Sequence, residues 1–168
     1  VTAGTLVRAI PKKAVVAWLT KAQAAMCRTL ADTAEIFLMP GMSPADAQGF
    51  ELRVEALVRE LAQSFVEWCF NSLEPQKVEA MPQQVEHLGQ KCRRLKKKTL
   101  HANVLTRFGN ITLTRATYRQ GSRGRTIAPL EKILGIDCGA TAGAQDLVGR
   151  QVPAAGSSQG RCIEVIAE

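Results

Sequence analysis

The chain has 168 residues, 46% of them hydrophobic, which is enough for one domain with a real core or for two small ones. Only 5% are aromatic, so the stacking platforms of single-strand binders are not obviously supplied. The formal charge of +7 comes from 22 Lys and Arg against 15 Asp and Glu, and no apolar run approaches the roughly 20 residues of a membrane span.

From Lys12 to about Met39 the chain is Ala-rich, with apolar residues at Val15, Val16, Leu19, Ala22, Met26, Leu30, Ile36 and Phe37. That spacing predicts a helix, ended by Pro40-Gly41. Its expected role is packing or oligomerisation. A second helix opens at Ser43-Pro44-Ala45-Asp46, which offers a capping hydroxyl, Pro at the first helical position and an acid at the third. Phe50, Val54, Leu57, Leu61, Phe65 and Trp68 then form one apolar side to about Leu73, where Pro75 stops it. This helix, residues 43–74, is expected to pack on its neighbours or to join copies of the chain into a homo-oligomer.

Residues 75–84, PQKVEAMPQQ, read as a polar linker between a helical region (1–74) and a basic β region (85–125). The β region holds eleven cations and no acid from Lys91 to Arg125: Lys91, Arg93, Arg94, Lys96, Lys97, Lys98, Arg107, Arg115, Arg119, Arg123 and Arg125. The remainder carries 11 basic against 15 acidic residues, so the positive charge is local. A neutral-to-acidic body with one cationic arm is the electrostatic footprint of a polyanion binder; the bland alternative is a solvated basic face. These eleven residues are the candidate nucleic-acid contacts.

Within this region Val104-Thr106-Phe108 and Ile111-Leu113 alternate around Gly109-Asn110, which predicts a two-residue β-hairpin. That turn would set Phe108 opposite Ile111, Thr106 opposite Leu113 and Val104 opposite Arg115. One face would be apolar, and the other would present Arg107, Thr112, Thr114 and Tyr118 to a ligand or water. A hairpin alone is marginal, so a further strand is expected over Val85–Leu95. Gly121-Ser-Arg-Gly124-Arg reads as a flexible cationic loop that wraps a phosphate or is disordered.

The tail (126–168) reads as a short turn or connector at Ile127–Ile136, a helix from Ala140 to about Val152, and a second from Ser157 or Ser158 to the end, with Pro153-Ala-Ala-Gly156 between them. A plain helical hairpin fits better than a helix-turn-helix, since only Gln159 and Arg161 near the start of the second helix could reach DNA. The fold class is therefore α+β: N-terminal helices, a basic antiparallel hairpin or small sheet, and a C-terminal helical hairpin.

The run VLTRFGNITLTRATYRQ, followed by IAPLEKILGI and then GRQVPAAGSSQGRCIEVIAE, resembles the N-terminal region of insertion-sequence transposases of the ISKra type, over roughly residues 45–168. The resemblance implies DNA transposition, with this region binding element-end DNA and assembling ahead of an RNase H-like catalytic domain. Full-length members would need a divalent metal, Mg²⁺ by expectation. Many members carry Cys-rich knuckles around this hairpin; here a basic RRLKKKT run takes that place.

No catalytic site is legible. An RNase H-like site needs three carboxylates converging on two metal ions. The acids after the basic stretch, Glu131, Asp137, Asp146, Glu164 and Glu168, do not end apolar strands. The five cysteines (27, 69, 92, 138, 162) and two histidines (His87, His101) have neither zinc-ligand nor disulfide-framework spacing, so no cofactor or metal is assigned and reduced thiols in a cytoplasm are the simplest expectation. No stretch resembles a signal peptide. With a start at Val1 and a stop inside an expected helix at Glu168, the expectation is an N-terminal portion, processed or truncated, that is non-catalytic as it stands. The alternatives are a stand-alone basic protein that binds RNA or another acidic partner, and a remnant that folds poorly.

Overall fold

The computed structural model describes residues 6–122 and 124–155, the last five by backbone alone. Its class is α+β: two N-terminal helices, antiparallel sheets and a shorter helix towards the C-terminal side. Helix α1 is Lys12–Phe37 and α2 is Pro44–Ser72. The start of α2 follows from local chemistry. Ser43 Oγ and the Ser43 amide both donate to Asp46 Oδ2, at 2.7 and 2.8 Å, while the Asp46 amide lies 3.3 Å from Ser43 Oγ. This reciprocal cap satisfies amides that the first turn leaves free, and those bonds hold the Asp46 carboxyl below its ordinary range.

The chain divides into two compact units, and the division falls inside α2 rather than at the expected 75–84 linker. One unit is Ile10–Phe65, a pair of helices. In it Trp18 and Phe65 tilt against each other with ring centroids 5.1 Å apart. At the other end Phe37 lies over Gly49, where a Cβ would come within 2.8 Å of the ring. These two contacts set the helices antiparallel.

The second unit holds the end of α2 and all the strands. Strands β1 (Gln84–His87), β2 (Gln90–Arg94), β5 (Tyr118–Arg119) and β6 (Thr126–Ile127) form a four-stranded antiparallel sheet in that order. Strands β3 (Thr99–Thr106) and β4 (Gly109–Arg115) form a separate two-stranded sheet. The expected strand over 85–95 is thus two strands, and it does not join the 99–115 hairpin. Leu88 and Gly89, both at positive φ, make the turn between them, the geometry that matches strand twist in a two-residue hairpin. The stretch 75–84 is packed, not loose: it carries a 3₁₀ turn at Val78–Ala80 and buries Val78 and Met81.

The 99–115 hairpin exists, with a different register. Thr106 pairs with Gly109, Val104 with Ile111, His101 with Leu113 and Thr99 with Arg115. The turn residues are Arg107-Phe108, because the Thr106 hydroxyl closes the turn from inside, accepting from the Phe108 amide at 3.2 Å and donating to the Gly109 carbonyl at 2.8 Å. The glycine takes its positive φ of 121° just after the turn, and Asn103, at φ 59°, absorbs a bulge between His101 and Val104. Phe108 therefore sits at the tip, 40% exposed, and not in a core.

Val104, Ile111 and Leu113 pack with Val66 and Phe70 of α2, with Leu73 just past its end, and with Leu130 of α3 (Pro129–Ile133). A second core lies on one face of the four-stranded sheet: Leu6, Met81, Val85, Cys92, Ala116 and Tyr118, flanked by Ile127. Tyr118, expected to face a ligand or water, is fully buried there and donates to the Pro82 carbonyl at 3.1 Å. Helix α4 runs Ala142–Ala155 and continues past Pro153, which costs one backbone bond without ending the helix. The expected second tail helix, with Gln159, Arg161, Cys162, Glu164 and Glu168, lies outside the described residues, as does Arg123.

One further arrangement holds the second unit together. Along α2 and just past its end, Glu67 Oε2 accepts from the Thr112 amide (3.0 Å), Asn71 Oδ1 from the Thr114 amide (2.7 Å) and Glu74 Oε2 from the Ala116 amide (2.8 Å). Asn71 Nδ2 returns a bond to the Thr112 carbonyl at 2.9 Å. Residues three and four apart share a helix face, and alternate amides of a strand point to one side, so the helix satisfies the open edge of β4 with side chains alone.

Candidate nucleic-acid interface

The eleven candidate cations separate by what they touch. Lys98 is committed inward: its Nζ lies 3.2 Å from Glu74 Oε2, with the two side chains 11% and 1% exposed. Arg115 is likewise committed. Its Nε sits 2.6 Å from Glu131 Oε1, which also meets His101 Nδ1. These two cations neutralise buried or half-buried carboxylates and are withdrawn from the contact set. Arg94 is half-committed, since its guanidinium donates to the Met81 carbonyl while the residue stays partly exposed.

Lys91, Arg93, Lys96, Lys97, Arg107 and Arg125 are exposed and form no ion pair among the described residues. Arg119 is part-exposed, with its Nε 3.4 Å from Thr126 Oγ1. The pleat explains how these come together. In β2 the Cys92 side chain enters the core, so Lys91 and Arg93 point to the opposite, open face. Arg93 pairs directly with Arg119 of β5 on one side and with Gln84 of β1 on the other. Lys91 faces Glu86, the one acid on this face of the sheet among the described residues. Lys96 and Lys97 follow where β2 ends. Arg107 stands apart on the tip of the other hairpin, its aliphatic stem near Gly143.

A cleft of about 370 Å³ opens at the end of β2, lined by Gln83, Arg93, Arg94, Leu95 and Lys96. The local charge count in the sequence singled out the cations but not this hollow, beside which the Arg94 amide bonds the Gln83 carbonyl (2.8 Å) and the Leu95 amide the Thr117 carbonyl (2.9 Å).

The other candidate chemistries find no constellation. Glu131 is held by Arg115 and His101, Asp146 by Arg150 at 3.0 Å, and Asp137 lies apart in a tight turn. His87 lies against Lys132 Nζ, 3.1 Å from Nε2. Among the described residues no group of three or more His, Cys, Asp or Glu is placed to hold a metal ion. Of the cysteines, Cys27, Cys69, Cys92 and Cys138 are free thiols, and burial pushes that of Cys69 up. None of the described helices is long and apolar enough to cross a membrane. Set against known protein families, characterised proteins and solved structures, the chain matches none of them.

Proposed function

We propose that the chain binds duplex DNA through the open face of the four-stranded sheet and the Leu95–Lys97 segment, and that it serves as the DNA-binding and assembly portion of an insertion-sequence transposase. One observation carries the binding: Lys91, Arg93, Lys96, Lys97 and Arg119 lie on or beside one sheet face with a single acid among the described residues, Glu86 opposite Lys91, against them, while Lys98 and Arg115 are neutralised internally. Unneutralised charge gathered on one surface attracts phosphates, and the counterions they release drive association. The transposase part rests on the resemblance of the 104–120, 127–136 and 149–168 segments to that family. On this reading the chain positions DNA and leaves strand chemistry to carboxylates elsewhere.

The test is a polarisation titration with labelled duplex at several salt concentrations, with the same duplex incubated in Mg²⁺ or Mn²⁺. Five phosphate contacts predict a slope of log K against log salt of roughly −4 to −5. The bound DNA is expected to stay intact. Absence of binding, or binding that ignores salt, overturns the first half. Metal-dependent nicking that disappears in Asp137→Asn overturns the second.

A further inference from the structure

We infer that the cleft at the end of β2 is a seat for a single phosphate group, with Arg93 as its anchor and Lys96 as its second contact. This deepens the DNA-binding proposal and rests on it only for the source of the phosphate. The first observation is the hollow itself, lined by Arg93, Arg94, Lys96, Gln83 and Leu95, with no carboxylate among the described residues of its lining. The second is independent of the hollow. Arg93 and Arg119 are directly paired across β2 and β5, where side chains stand about 5 Å apart and like charges oppose folding. An anion beside Arg93 relieves that opposition, so the pairing favours the filled cleft over the bare one.

The bonding already present narrows what such an anion would use. The backbone amides of Arg94 and Leu95 are spent on the carbonyls of Gln83 and Thr117, and one arm of the Arg94 guanidinium is spent on Met81. The group must therefore be held chiefly by side chains. Arg93 has a fork of donors that fits two phosphate oxygens at once, and Lys96 adds a point charge. The ligand class is a phosphate monoester or diester. The backbone of bound DNA and free inorganic phosphate share that chemistry, and the experiment separates them.

Inorganic phosphate is titrated into ¹⁵N-labelled chain while the Arg93 side-chain Nε–H signal is followed. In parallel, a 12-bp duplex is titrated by polarisation with the unchanged chain and with R93Q, K96Q and K97Q. A saturable Arg93 shift, lost in K96Q, supports the seat; a linear drift without saturation overturns it. With duplex, R93Q is expected to bind roughly tenfold more weakly and to lower the salt slope by about 0.9. Its unfolding midpoint should stay level or rise, because the Arg119 opposition is gone. If R93Q keeps the full slope while K97Q loses its share, DNA binding stands and the phosphate seat falls. If the unchanged chain binds no duplex yet shows the saturable, Lys96-dependent shift, the seat stands, its ligand is the free anion, and the DNA reading falls.

Discussion

Three consecutive lysines illustrate how neighbouring residues of one type acquire different work. Lys96 and Lys97 are exposed, whereas Lys98 is paired with the buried Glu74. Removing one partner of a buried pair leaves an uncompensated charge, at a cost on the order of 3–5 kcal/mol. Lys98→Met is therefore expected to lower the unfolding midpoint sharply and, where it remains folded, to bind DNA with an unchanged salt slope. Lys97→Gln should do the reverse, and chemical denaturation beside polarisation reads both. Tyr118 supplies a pH test. Burial first, and then the nearby Glu74 charge, raise its pKa above the ordinary 10.0, against a smaller opposing pull from Arg94. The folded state thus holds this proton more tightly than the unfolded chain, so its contribution to stability is intact below pH 10 and drains away as pH rises beyond it. As the chain's one tyrosine, it can be followed by tyrosinate absorbance. The expected result is ionisation displaced upwards from the ordinary value and coupled to unfolding, with the coupling absent in Tyr118→Phe.

At the scale of elements, the hairpin separates what local sequence determines from what it does not. Alternation over 104–115 was enough to foresee two strands. It was not enough to place the turn, because Gly109-Asn110 satisfies the usual two-residue signal while the Thr106 hydroxyl closes a turn over Arg107-Phe108 instead. The consequence is measurable. Phe108→Ala should cost less than about 1 kcal/mol, as for a surface position, whereas Leu113→Ala, from the core, should cost about 2–5 kcal/mol. Equal losses in urea unfolding would mean that the register is wrong. The start of α2 was legible for the opposite reason: Ser43, Pro44 and Asp46 make their cap with one another, and nothing remote intervenes. The candidate interface lies between these cases. Its cations could be counted from the sequence, but the commitment of Lys98 to Glu74 and of Arg115 to Glu131 depends on segments far along the chain. So does the cleft, whose wall at Gln83 meets Arg94 only once β1 and β2 have paired.

For the whole molecule, the two units differ in how fully they bury apolar surface. In the Ile10–Phe65 unit only Thr33 and Leu57 fall in the buried class, and Val16, Leu19, Leu52 and Val58 are exposed. Two helices make a single layer, and an apolar stripe needs a second layer to cover it. A second copy of the same unit is the expected cover, in keeping with the assembly role proposed above. Sedimentation should give a dimer that Leu52→Glu with Val58→Glu converts to monomer while the salt slope per chain is kept; a monomeric unchanged chain would remove the assembly part of the proposal.

In the strand-bearing unit the two-stranded sheet is covered from within the same chain. Glu67, Asn71 and Glu74 occupy the outer amides of β4, and on the far side Leu105 of β3 exchanges backbone bonds with Gly139 and Thr141. Each edge of that sheet is thus covered over part of its length, which leaves a foreign strand less template on which to add. A cationic protein that gathers on a polyanion reaches high local concentration there. On the DNA-binding proposal, covered edges would let copies crowd along a duplex without this hairpin pairing from one copy to the next.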